Sequence, residues 1–216
     1  MEVSINPELR NIVYDNIRET AVEERTGIHL SDLIYCSRKA WFRKMGMSPP
    51  PTDDQCLLFL TGYAFQAYMF SKEEEVVVLV DGINCTPDVM SGIEVKSTRQ
   101  SLRNFNLEES KGWKKQILGY CKALNTLEYD LVVMFVCGDY KPPFPKLECY
   151  HIVTTQEEVD RNWTVMLVRK DILEESLDLT LIPSPDCEEW EWQYCENIKM
   201  CQDTACWRKK LIKERK

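Results

Sequence analysis

Histidine is scarce in this chain: two residues in 216, His29 and His151. A site built mainly from imidazole, such as a three-histidine zinc centre, is therefore excluded. His29 sits beside a helix-capping serine and reads as a structural hydrogen-bonder. Long hydrophobic runs are also missing. The longest, residues 131–137, falls far short of the ~20 apolar residues of a membrane-spanning helix. The opening MEVSINPELRN has neither the basic nor the apolar region of a secretion signal, so the expectation is a soluble, cytoplasmic protein with no membrane partner. Positive charge is in deficit: 27 Lys and Arg against 35 Asp and Glu give −8, which argues against tight, non-specific coating of nucleic acid. There is no internal repeat, no low-complexity tract and no C-x-x-C pair of the zinc-knuckle kind.

What is present is enough apolar sequence, 44%, for one substantial core, and the whole chain, 1–216, reads as a single domain. Helical spacing runs over residues 7–25, with Pro7 tolerated in the first turn. A second helix is expected over 32–45 behind Ser31 as N-cap, and a third over 55–71 after the proline-rich breaker at 47–54. Residues 75–80 read as a buried strand, followed by two short strands around Asp88 and Glu94 joined at Ser91-Gly92. A polar loop over 100–112 leads to a helix bearing Gln116. Strands at 131–137 and 147–154 and a closing helix at 156–177 complete an α/β order, a mixed sheet flanked by helices.

Asp88, Glu94 and Lys96 lie within nine residues. On a strand, side chains two apart share a face, so Glu94 and Lys96 point together while Val95 is expected to face the core. Two carboxylates can hold a hard divalent cation such as Mg or Mn, which polarises a phosphate and lowers the pKa of a water. A lysine beside them can steady the attacking water or the charge developing on phosphate oxygens. The alternative is a solvated charged face, common where 29% of residues are charged. Gln116 and Tyr120, four apart, share one helical face beside an apolar stripe of Ile117, Leu118, Cys121 and Leu124. Basic clusters at 96–103 and 111–115 flank the acids and soften the net negative charge.

Pro87-Asp88, then Glu94-Val95-Lys96, then Gln116 to Tyr120 is similar to the motif order of the PD-(D/E)XK nuclease superfamily, in its RecB-like branch. The resemblance implies a restriction-endonuclease-like mixed central sheet flanked by helices. It also implies a Mg- or Mn-dependent deoxyribonuclease, an exonuclease acting on single strands or free ends. Asp88, Glu94 and Lys96 would be catalytic; Asp88, Glu94 and the Val95 carbonyl would bind the metal. Gln116 and Tyr120 would contact the DNA, with Arg99, Lys111, Lys114 and Lys115 on phosphates. The family's upstream Gly-x-x-x-His appears here as Gly62 to Gln66, so Gln66 would complete the metal shell in place of histidine. A rival expectation is a catalytically weak DNA-binding or assembly subunit, working with CRISPR adaptation or repair proteins.

Ten cysteines without a secretion signal read as thiols rather than disulfides. Cys56, Cys85, Cys121, Cys137 and Cys149 lie in apolar patterns and read as core. The tail, residues 183–207, carries Cys187, Cys195, Cys201 and Cys206 in a polar, aperiodic run, a metal or cluster signal. The segment around Cys36, Arg38, Lys39 and Trp41 resembles that of the CRISPR-associated RecB-like exonucleases, whose cysteine there binds a 4Fe-4S cluster. Ser37 and Lys39 depart from that pattern, and Trp192 stands where the family has the first tail cysteine. The resemblance implies a cluster on Cys36, Cys187, Cys195 and Cys201, with Cys206 as alternative to Cys187, and the tail packed on the helix at 31–46.

Overall fold

The computed structural model describes residues 6–21, 25–70, 76–137, 145–193 and 195–203. It is a mixed α/β chain whose described strands form two three-stranded sheets. The chain divides into two compact units, residues 1–30 with 51–164, and residues 31–50 with 165–216.

In the first unit, α1 (Pro7–Ala21) packs on α4 (Asp53–Met69). α4 starts in a capping box: Thr52 accepts from the Gln55 amide and the Gln55 side chain returns to Thr52, closing the helix after the prolines. β1 (Ile28–His29), β2 (Val78–Val80) and β3 (Ile83–Cys85) form one sheet in the order β1-β3-β2. β4 (Ile93–Thr98), β5 (Glu128–Phe135) and β6 (Lys146–Val153) form the other in that order. β4 and β5 run parallel, with Glu94 opposite Leu131 and Lys96 opposite Val133; β6 returns antiparallel. A parallel pair needs a long crossover. It is made by a 3-10 turn at Leu107–Glu109 and α5 (Lys111–Leu124), which ends on Asn125 in the left-handed region, φ 52°. α5 packs on β2, β3 and β5, so it touches both sheets. Its approach to the β1 side depends on Gly119, where a methyl group would lie 2.5 Å from buried Leu30 Cδ2.

Several expectations are corrected here. The single mixed sheet is two among the described strands: β1 and β2 take both edges of β3, so β4 opens a second sheet with β5, and the link between β3 and β4 turns at the Val89–Ile93 bridge. The strand near 75–80 is not buried: β2 is an edge strand and Leu79 is 66% exposed. Cys56, Cys85 and Cys121 are core, as expected, but Cys137 and Cys149 are exposed. Cys149 lies on β6, whose every second side chain faces out, and the same alternation carries Val153 outward.

In the second unit, the helix expected over 32–45 is two, α2 (Leu30–Ile34, shared at Leu30 with the first unit) and α3 (Ser37–Lys44). The break falls at Cys36, which occupies the N-cap position of α3 without a side-chain cap of its own. The cap comes from far along the chain: the Ser37 amide and hydroxyl donate to the two Asp186 oxygens at 2.7 and 2.9 Å. A carboxylate at a helix N-terminus meets both the orphan amides and the helix dipole. α6 (Gln156–Asp178) begins in the first unit and continues through the second, where Trp41 donates to the Ser176 carbonyl at 3.0 Å. α7 (Glu189–Gln193) and α8 (Ile198–Asp203) follow in the tail. Among the described residues no helix is long and apolar enough to cross a membrane.

Candidate metal and nucleic-acid site

β4 carries the centre of the site. Its ladder with β5 puts Glu94 and Lys96 on the face of Leu131 and Val133, both fully buried. Glu94 is consequently only 1% exposed, while Val95, expected in the core, is half-buried on the other face. The inward side of this strand is the charged one. Lys96 Nζ forms an ion pair with Glu94 Oε1. Glu94 Oε2 is buried with no hydrogen-bond partner. Burial pushes the Glu94 carboxyl up to about 7 from 4.5; the Lys96 charge opposes that rise and the nearby Asp88 charge adds to it.

Asp88 is not on a strand. It precedes the Val89–Ile93 bridge, and its Oδ2 accepts the Val95 amide at 2.7 Å, which ties the loop carboxylate to the strand carrying Glu94. Gly92, at φ 91°, makes the turn between them, a conformation that favours glycine. Asp88 and Glu94 thus belong to one cluster, close enough for each charge to act on the other.

Gln116 and Tyr120 meet as their spacing predicts: Gln116 Nε2 donates to Tyr120 Oη at 2.9 Å. Tyr120 is 5% exposed and donates its own proton to the Thr86 carbonyl at 2.8 Å. The pair therefore braces the backbone two residues before Asp88. Burial, then the Glu94 charge, hold the Tyr120 phenol well above its ordinary value.

Tyr129 escaped the sequence reading. At the start of β5 it stacks on Tyr120 with centroids 6.1 Å apart, and its ring edge lies against Gly92. Its hydroxyl is buried without a partner, and its phenol is raised by burial and then by Glu94. A tyrosine in a strand reads as ordinary core; only a hydroxyl at a fully buried position next to an acid marks it. Two orphaned polar atoms, Glu94 Oε2 and Tyr129 Oη, thus share one neighbourhood. Each unmade bond costs about 1–3 kcal/mol unless a bound species supplies it.

Gln66 lies half-buried on α4, one turn past Gly62, whose position faces Ser97 Oγ at 4.0 Å. Arg99 is exposed just beyond β4. Lys114 pairs with Glu108, and the Lys115 carbonyl accepts from Asn162 at 3.0 Å. Lys111 is exposed at the first turn of α5.

Of the tail cysteines, Cys187, Cys195 and Cys201 fall in the second unit together with Cys36. Residues flanking the thiols join the two segments: Ser37 to Asp186, Lys39 to Glu196 at 2.9 Å, and Arg38 Nη1 to Cys201 Sγ itself at 3.3 Å. Cys36, Cys187 and Cys201 are buried and Cys195 is half-buried. Burial raises the Cys195 thiol, and the Glu196 charge adds to the rise while the Asn197 amide opposes it; Cys36 is among the groups near enough to act on it. Between Cys195 and Cys201 lies Asn197, fully buried with neither amide atom hydrogen-bonded. Thiol donors and an orphaned amide suit a bound inorganic group. Yet among the described residues no three of His, Cys, Asp and Glu stand grouped to hold an ion. Cys206 lies outside the described residues.

No family model and no curated protein matches the chain. Among solved structures, the crystal structure of SSO0001 is similar over 89% of this chain and 96% of that one, with TM-score 0.56 at 18% identity. That likeness is one of fold.

Proposed function

We propose that this chain is a divalent-metal-dependent nuclease that hydrolyses phosphodiester bonds of DNA, on a restriction-endonuclease-like core of the PD-(D/E)XK type. One observation carries the reading: a carboxylate, Glu94, deep in the core beside the Asp88 main chain, with one oxygen paired to Lys96 and Oε2 buried without a hydrogen-bond partner. Such a group is costly unless something positive joins it. Asp88 and Glu94 would hold Mg or Mn, with the Val95 carbonyl and Gln66 as further oxygen donors. The ion, when bound, supplies Lewis acidity and a more acidic water. Lys96 would orient the attacking water and offset charge on the phosphate. Tyr129 donates its hydroxyl proton into the same space, while Gln116 and Tyr120 keep Asp88 in place. Lys111, Lys114, Lys115 and Arg99 supply phosphate contacts, a salt-sensitive contribution.

The test is cleavage of single-stranded and duplex DNA with Mn. The native chain is expected to cut and to stop on chelation. Binding without turnover, unchanged in Glu94→Ala, would instead support the assembly-subunit reading that Gln66, standing where the family has histidine, favours. Tyr129→Phe gives a separate check. Removing the orphaned hydroxyl should leave the metal-free protein as stable or more so, yet lower Mn affinity or turnover on the order of tenfold. Equal turnover and equal Mn affinity would remove Tyr129 from the site.

The second unit is proposed to carry a 4Fe-4S cluster on Cys36, Cys195, Cys201 and Cys187, with Cys206 as the alternative fourth ligand. Four thiolates suit such a cluster, and its role there is to fasten the tail to the segment around Cys36. Protein purified without oxygen should be brown and contain about four irons per chain. A colourless anaerobic preparation containing zinc would reject the cluster.

A further inference from the structure

A cavity of about 490 Å³ opens in the first unit between the N-terminal half of α4 and the ends of β4 and β5. Leu57, Leu58 and Val136 give it apolar walls, and Arg99 stands at the β4 end. Its size is that of a small-molecule site. Thr98, on its lining, is two residues past Lys96 on β4, about 7 Å along the strand, roughly the spacing of one nucleotide from the strand position of the acids.

The main chain gives it directional chemistry. Among the described strands β4 is laddered with β5; its other edge is met by Val89, through the bridge to Ile93, and by the Asp88 carboxylate. The Val95 amide points to that outer edge, since it donates to Asp88, whereas the Thr98 carbonyl points to β5, accepting from Val136 at 3.0 Å. Alternation along a parallel strand therefore turns the Ser97 N–H and C=O outward with those of Val95, toward the helix that lines the cavity. An adjacent donor and acceptor match the hydrogen-bonding edge of a nucleobase. The apolar walls match its faces, and Arg99 matches a phosphate. Asp54, also on the lining, disfavours a ligand that is anionic throughout and can accept from an exocyclic amino group.

We propose that this cavity receives one unstacked base of the strand that is cut, held between Leu57, Leu58 and Val136, with Arg99 on the adjoining phosphate. The inference rests on the nuclease reading. Its test uses binding, in Ca²⁺ with Mg²⁺ and Mn²⁺ omitted, of a 12-nucleotide single strand and of a series with one abasic position each. One abasic position should weaken binding on the order of tenfold. Leu58→Trp, which fills the cavity from a 40% exposed position, should weaken the intact strand similarly and abolish the abasic effect. Hydrolysis of bis(p-nitrophenyl) phosphate in Mn²⁺, a diester without a base, should be unchanged in that variant. Should Leu58→Trp fold poorly, the abasic series on native protein still decides. Indifference to every abasic position, or equal binding by well-folded Leu58→Trp, overturns the inference. Absence of all hydrolysis by the native chain overturns the nuclease reading alone, because binding is read without cleavage.

Discussion

Lys96→Ala is expected to lower DNA cleavage by about 10²–10⁴-fold, the usual contribution of a positioned proton-transfer group. Stability should fall much less. Lys96 is the cation paired with Glu94. A buried charge stripped of its partner would cost roughly 3–5 kcal/mol. Glu94 has an escape, however, because burial already places its carboxyl at about 7, and without Lys96 it takes up a proton at neutral pH. The double variant Lys96→Ala with Glu94→Gln should therefore be about as stable as Lys96→Ala alone and equally inactive. Cleavage and thermal unfolding measured on the native chain and the two variants separate the two effects. Near-native cleavage by Lys96→Ala would withdraw its catalytic role.

The second large effect concerns pH. The folded Glu94 carboxyl is raised to about 7 from 4.5, so the folded state binds this proton more tightly than the unfolded chain does. Its contribution to metal-free stability is therefore complete below about pH 4.5, declines as pH rises to about 7, and levels off above it. The gap is worth roughly 3 kcal/mol. Denaturant unfolding of the native chain and Glu94→Gln across this window isolates it, since other carboxylates titrate in both. The difference between the two proteins should grow toward neutral pH, and saturating Mn²⁺ should restore the native chain by binding the ionised form. Parallel stability curves would mean that Glu94 is not held in an apolar interior.

Much of the site was legible because it obeys simple periods. Two-residue spacing put Glu94 with Lys96, and four-residue spacing put Gln116 with Tyr120. What the period cannot say is which face is inside. Hydropathy assigns Val95 to the core, but the neighbours across the ladder, Leu131 and Val133, bury Glu94 instead. The division into two sheets was hidden for a similar reason: β1 and β2 take both edges of β3, and the order of strands along the chain does not record which of them pair. The break at Cys36 depends on Asp186, 149 positions away, and no local pattern carries such a partner. Tyr129 is the clearest omission, since its ring packs as any aromatic would and only its hydroxyl is out of place.

The central claim is that Asp88 and Glu94 hold a divalent cation inside the fold. A crystal soaked in Mn²⁺ and measured at the manganese absorption edge tests it directly. The account predicts one anomalous peak within coordination distance of Glu94 Oε2 and an Asp88 oxygen, about 2.1–2.3 Å. Manganese elsewhere, with Glu94 still paired only to Lys96 at saturating concentration, would contradict it.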